Sequence, residues 1–327
     1  MTTEQILSGF TKLAVLVVGD ICLDRWCTYD PELSEPSRET GIPRIAVVST
    51  EVTPGAGGTV ANNLVALDAN RVAVLGVVGD DGFGEELQRA LEARSISTEF
   101  LVKAPVPTFT YTKLINAKTG VEDQPRVDYI NAQPLPEETE RKILTRLESA
   151  VGGYGVIIVA DQAETDCGGV VTPAMRQMLS DLATRNPDKV FWADSRKRIE
   201  QFRRVVVKPN RQEADEACMR LFGKVDYQAL REHLEAGLMI VTQGPEGVVV
   251  VEPGRETPVR TRPVENPVDI CGAGDSFTAG AAMALAVTGQ AVEAARIGNL
   301  VASVTIMKKG TGTASPQEVL QAEARQR

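Results

Sequence analysis

Asp269-Ile270-Cys271-Gly272-Ala273-Gly274-Asp275-Ser276-Phe277 is a turn of small residues that runs straight into a helical pattern. Glycines there let main-chain N–H groups approach a ligand closely, and the first turn of a helix adds unpaired donors with partial positive charge. The combination predicts an anion hole. The N–H groups of Gly272, Ala273 and Gly274 would hold phosphoryl oxygens, and Asp275 would stand at the lip to accept a proton from a hydroxyl. The same residues also fit a plain turn with Asp275 as helix N-cap, a role Asp fills well.

Upstream of this turn, short apolar β-branched runs at 13–18, 72–78, 155–160, 190–193, 205–207 and 238–242 read as buried strands. Between them, 84–93, 136–150, 173–184 and 212–222 carry apolar residues at helical spacing. That β-α alternation predicts an α/β fold, doubly wound on a mostly parallel sheet with helices on both faces. No low-complexity linker interrupts residues 1–327, so one domain is expected. Segments 21–52 and 100–130 break the rhythm, and the second alternates in the manner of a half-buried strand. We read them as a small antiparallel β lid whose open face could close over substrate or pair with a second copy as a homodimer. After the turn come helices at about 275–287 and 291–307, with Gly289 where the first should stop, and a last helix that starts at Ser315-Pro316.

Bulk properties narrow the partners. Thirty-five Lys and Arg against 44 Asp and Glu leave a net charge of −9, which opposes a broad grip on nucleic acid. An acidic protein can still bind phosphates through backbone N–H groups, a metal and a few local cations. The five cysteines are scattered without a C-x-x-C pair and read as reduced thiols of a cytoplasmic protein. No stretch reaches the ~18 apolar residues of a membrane span.

The run 269–275 closely resembles the Asp-Thr-x-Gly-Ala-Gly-Asp signature of ribokinase-like (PfkB) carbohydrate kinases, with Ile270 in the place of Thr. Further matches follow in the family's order. Gly19-Asp20-Ile21-Cys22-Leu23-Asp24 resembles the turn whose last acid binds sugar hydroxyls, and Pro54-Gly55-Ala56-Gly57-Gly58 the glycine-rich substrate loop. Gly79-Asp80-Asp81-Gly82-Phe83-Gly84 resembles the Gly-x-Asp-x-x-Gly turn. Asn210-Arg211-Gln212-Glu213 is similar to the Asn-x-x-Glu motif that organises magnesium and phosphates, and Thr242-Gln243-Gly244-Pro245-Glu246-Gly247 to the nucleotide-side Thr-x-Gly-x-x-Gly. The resemblance implies ATP-dependent phosphorylation of a sugar or sugar phosphate hydroxyl, with Asp275 as base and Mg2+ held by Glu213 through water. It leaves open a monovalent cation near Asp269. Asn210 and Glu213 fit a plain capping box equally well.

The heptose-phosphate kinase branch gives the strongest likeness, through Arg126-Val127-Asp128 and Lys309-Gly310-Thr311-Gly312-Thr313. Arg126 would meet a substrate phosphate or pair with Asp128 or Glu122. Asn299 aligns loosely with adenine-pocket positions. Two departures stand out: Thr59 falls where a sugar-binding Asn is usual, and Asp161-Gln162-Ala163-Glu164 replaces an Asp-Tyr-x-Lys-Gly run expected beside the substrate. Losing that Lys would remove a point-charge partner for a phosphate. A catalytically silent sugar- or nucleotide-binding regulator is the competing reading. A nicotinamide dehydrogenase lacks its Gly-x-Gly-x-x-Gly after the first strand. The single histidine, His233, lies in a polar helical stretch and is expected to face solvent; its solitude argues against a Ser-His-Asp hydrolase.

Overall fold

The computed structural model describes residues 1–326. Its larger sheet has eight strands in the order Arg255–Val259, Val248–Glu252, Met239–Thr242, Val206–Val207, Val190–Ser195, Val156–Asp161, Ala14–Gly19 and Arg71–Leu75. The last six run parallel, and the first two form an antiparallel hairpin on the edge. That hairpin went unread in the sequence, although the Val248–Val251 run and the positive φ of Gly254 at the turn both mark it.

Residue alternation explains the two cores. Val15 and Val17 join one apolar cluster while Leu16 and Val18 join the other, and Val156/Ile158 against Ile157/Val159 repeat the division. Side chains of a strand point alternately to its two faces, so an unbroken β-branched run must be covered on both. One face is covered by helices that include Gly57–Ala66, Ala273–Thr288 and Ala291–Thr305, the other by Glu137–Ala150, Pro173–Arg185 and Arg211–Phe222. Small residues let the helices Ala273–Thr288 and Ala291–Thr305 approach closely: a Cβ on Gly298 would lie 2.7 Å from the Phe277 ring. Gly289 ends the first of them in the left-handed conformation, and Ser315 caps the helix Pro316–Gln326.

The expected strand at 72–78 is two strands, Arg71–Leu75 and Val77–Gly79, and the second pairs with Val102–Ala104. Gly76 marks the break, where a Cβ would meet the Gly19 carbonyl at 2.7 Å.

Segments 21–56 and 110–129 form a second sheet in the order Val47–Ala56, Ile21–Tyr29, Thr110–Asn116, Val127–Tyr129. Its outer pairs are antiparallel, but the central pair, Ile21–Tyr29 with Thr110–Asn116, is parallel, which corrects the all-antiparallel expectation. Two helices, Gly57–Ala66 and Gly82–Glu92, intervene before the chain returns, and such a crossover permits parallel re-entry. His233 is half-buried instead of solvent-facing: it meets the Phe222 ring edge-on at 6.2 Å, and its Nε2 lies 3.0 Å from Arg203 Nη2. All five cysteines are free. Among the described residues no helix is long and apolar enough to cross a membrane.

Leu16 is fully buried between the parallel sheet and its helices. Leu16→Ala is expected to cost about 2–5 kcal/mol, through lost transfer energy plus a residual cavity. A lower urea midpoint at unchanged m-value checks this.

Candidate active site

The helix Ala273–Thr288 begins without a side-chain cap, and its N-cap is Gly272 at φ 76°. Only glycine adopts that conformation freely. Asp275 is therefore the third helical residue and not the cap. Upstream, the Asp269 carboxylate accepts from Cys271 N at 2.9 Å and from Gly310 N at 3.1 Å, so one side chain ties the turn to the 310–313 segment. One of the three expected donors needs correction: Ala273 N–H donates back to Ile270 O at 3.2 Å and faces its own loop. The N–H groups of Gly272 and Gly274 find no acceptor among the described residues. A helix start left open in this way is an anion site in waiting.

Charge around Asp275 is dense. Withdrawal from water pushes its carboxyl up to about 7, and the Asp194 carboxylate adds to the rise, whereas Lys208 and Arg196 pull it back. Lys208 and Asp194 form an ion pair at 2.8 Å, with side chains only 4% and 11% exposed. Burial alone would lower the Lys208 ammonium, but Asp194 reverses the effect and holds it charged. A fixed cation thus stands beside the helix start.

Two cavities meet here. The larger, about 830 Å³, runs along the carboxyl ends of the parallel strands; the smaller, about 180 Å³, lies under the second sheet. Among the described residues only Gln162, Arg196, Gly272 and Asp275 line both. Ligands of open α/β sheets bind at that edge, so the location follows from topology.

The larger cavity collects the residues the sequence reading assigned to the nucleotide. Asn210, Glu213, Thr242, Gly244, Gly247 and Asn299 all line it. Asn210 and Glu213 do form the capping box: Glu213 N donates to Asn210 Oδ1 at 2.9 Å, and Asn210 N to Glu213 Oε2 at 2.7 Å. Burial raises the Glu213 carboxyl to about 7, with Asp194 contributing. Gly247 has φ 92°, and a Cβ there would strike Val259 O at 2.3 Å, so the turn demands glycine. Asn299 Nδ2 donates to the same carbonyl at 3.2 Å.

Asp24, Thr59 and Arg126 line the smaller cavity. Burial raises Asp24 to about 6, opposed by Lys113 and Arg126. Arg126 chelates Asp128 at 2.7 and 3.0 Å and lies 5.0 Å above the Tyr111 ring. Gly55 and Gly57 line neither cavity. Gly55 instead leaves room for the Asp24 carboxylate, 2.5 Å from where its Cβ would be, and Gly57 packs on Ile21. Thr59 is 2% exposed and donates to Pro54 O at 3.3 Å.

Asp161 needs correction too. It is 1% exposed, lines neither cavity, and accepts from Ser195 Oγ at 2.7 Å and Arg198 Nη1 at 3.1 Å. It ends its strand facing inward, and the next residue, Gln162, reaches both cavities. Buried Asp20 holds this loop by accepting from Gln162 N, Ala163 N and Val170 N, each at 2.8 Å. The sequence reading also missed Lys113, Arg196, Lys208 and Asp194. Lys113 alone carried a signal, as it shares a strand face with Tyr111 in the alternating run.

Comparison with known proteins agrees with this geometry. Phosphofructokinase-2 from Escherichia coli, in a structure with potassium, superposes with a TM-score of 0.73 over 96% of this chain and 99% of that one, at 19% identity. Ribokinase from Arabidopsis thaliana, complexed with ribose and ATP, gives 0.66 over 95% and 98%, at 16% identity. The fold is therefore ribokinase-like. Residues 14–318 match the pfkB family of carbohydrate kinases, and the chain belongs to that family. The Bifunctional protein HldE of Pelobacter propionicus is 30% identical over 98% of this chain, which spans 65% of that relative's length.

Asp275, Glu213 and Asp24 each hold a proton to higher pH in the fold than in the unfolded chain. The native state then binds more protons between about pH 4 and 7, and stability falls as pH rises through that interval. Asp275→Asn should be at least ~1 kcal/mol more stable than the parent at about pH 8 and should converge with it at about pH 3. Chemical denaturation at the two pH values decides this.

Proposed function

We propose that this chain transfers the γ-phosphoryl group of ATP to a hydroxyl of a sugar or sugar phosphate, with Asp275 as base. One observation carries the reading: a carboxylate beside an uncapped helix start, at the junction of a nucleotide-sized cavity and a smaller one lined by several charged side chains. Residues 1–327 act as one kinase unit, and the second sheet serves as its lid.

In this reading the acceptor lies in the smaller cavity, where Asp24 accepts hydrogen bonds from its hydroxyls and Thr59 bounds the pocket. Asp275 removes the proton of the reacting hydroxyl as that oxygen attacks phosphorus. The N–H groups of Gly272 and Gly274, with Lys208, take up charge on the phosphoryl oxygens. Thr242, Gly244, Gly247 and Asn299 bound the site of the nucleoside. The lid excludes water from the reacting atoms.

Asn210 and Glu213 both line the larger cavity, and Glu213 Oε1, which the capping box leaves unused, suits a water of a hydrated Mg2+. A bound magnesium ion would neutralise triphosphate charge. Both Asp269 oxygens are engaged by main-chain N–H groups, and we assign no step to a monovalent cation there.

Arg25, Lys113, Arg126 and Arg196 line the smaller cavity against the carboxylates Asp24 and Asp275. This excess of cations favours an acceptor that already carries a phosphate. A cytoplasmic setting belongs to the proposal as well, as does the absence of nucleic acid and membrane partners. Ile42, Val47 and Val48 are 66%, 47% and 54% exposed on the lid segment, which supports a homodimer through that face.

An ADP-release screen over sugars, sugar phosphates and nucleosides tests the central reading and separates it from a silent binding protein. With an accepted sugar, Asp275→Asn should lower turnover at least ~10²-fold while ATP affinity holds. Parent turnover should rise with pH through about 7, where Asp275 loses its proton. Near-normal turnover in the variant removes Asp275 from the role. Light scattering should give a dimer that Val48→Glu converts to a monomer; a monomeric parent refutes pairing.

A further inference from the structure

We infer that Arg196 is a further catalytic residue, a cis-acting guanidinium that bridges donor and acceptor at the phosphoryl group in flight. The inference rests on the phosphotransfer reading above. Among the described residues Arg196 is the one cation that lines both cavities, and the other three shared residues are Gln162, Gly272 and Asp275. It follows the strand Val190–Ser195, and its main-chain N–H donates to Asp161 O at 3.0 Å, so a rigid sheet edge sets its position. Its side chain is half-exposed and reaches across to Glu164, with Nη1 to Oε1 at 2.5 Å. Glu164 falls where the related kinases were expected to carry Lys. That substitution deletes one cation but supplies the anchor for another.

The placement matters because of where charge moves. As the acceptor oxygen bonds to the γ-phosphorus, the bond from phosphorus to the β,γ-bridging oxygen breaks and its electron pair leaves with ADP. The hydroxyl proton passes to Asp275. The charge spread over the equatorial oxygens of the phosphoryl group then lies between the two cavities, with Lys208 on the nucleotide side and Arg196, among the described residues, as the cation that lines both. A guanidinium fork offers two donors there without titrating. Its field already acts at this point, since it pulls the carboxyls of both Asp275 and Glu213 downward. Lys208 lines only the larger cavity, and Lys113 and Arg126 only the smaller.

The test compares the parent with Arg196→Ala and Arg196→Lys by calorimetry, using ADP with Mg2+ and an accepted sugar, with and without aluminium fluoride as a mimic of the transferring phosphoryl group. In the parent, fluoride should tighten ADP by at least ~10-fold. Arg196→Ala should lose that gain yet bind ADP alone within about threefold of the parent, and its kcat should fall ~10²-fold at little-changed KM. Arg196→Lys should recover part of both, and free guanidinium should partly rescue the alanine variant. An alanine variant that keeps the fluoride gain overturns the inference, as does one that weakens ADP alone by the same factor. A parent that binds no ADP, or accepts no sugar, removes the phosphotransfer reading itself and this inference with it. The half-exposed Arg196 is not part of the core, and an unchanged urea midpoint confirms that each variant is folded.

Discussion

The architecture depends on one helix start that is left open. Helix N-termini ordinarily satisfy their orphan N–H groups with a side chain, as Asn210, Asp81 and Thr172 do elsewhere in this chain. At Ala273–Thr288 the cap is a glycine with nothing to offer, and the carboxylate that could have capped the helix sits three residues further on. Asp269 makes the omission possible by gripping the turn from behind, with one oxygen on Cys271 N and the other on Gly310 N. The turn is tied in place, yet the N–H groups of Gly272 and Gly274 stay open.

An open cap next to a desolvated carboxylate is unstable unless charge nearby is balanced. The Lys208–Asp194 pair supplies that balance from two adjacent strand ends, and both partners are nearly buried. Pairs of this kind add little net stability, because desolvation offsets most of the Coulomb gain. Their value lies in position: the ammonium cannot swing away, and Asp194 keeps the neighbouring Asp275 and Glu213 proton-hungry. A fold that spreads its site over parallel strand ends obtains such alignment from the sheet itself.

That division also explains what the sequence could tell. Gly272, Gly244 and Gly247 are legible because a left-handed turn is a local demand that glycine meets. Asn210 and Glu213 are legible because a capping box has fixed spacing. Strand cores show in unbroken β-branched runs, since both faces of the sheet are covered. Arg196, Lys208 and Asp194 leave no such trace: each is a single polar residue at or just past a strand end, brought to Asp275 by register alone. Asp161 misled for the same reason, because one step along the chain decides whether a side chain enters the core or the cavity. The parallel central pair of the second sheet was likewise invisible, as alternation reports a face and not a direction.

Net charge and site charge run in opposite senses, and the difference bears on how an acidic protein handles phosphate. The chain carries −9 overall, yet cations outnumber carboxylates around the smaller cavity. Three of those cations hold partners: Arg25 with Glu86, Arg126 with Asp128, Arg196 with Glu164. Among the described residues Lys113 forms no ion pair. The half-exposed pair Arg196–Glu164 contributes only ~0–1 kcal/mol, so under the proposed function a substrate phosphate would displace Glu164 at small cost. In the proposed reading, the acids would keep the guanidinium groups extended and oriented for a substrate phosphate. Long-range attraction is unnecessary when recognition rests on a few aligned forks and open N–H groups, and the acidic surface then disfavours polyanions too large to enter the cavity.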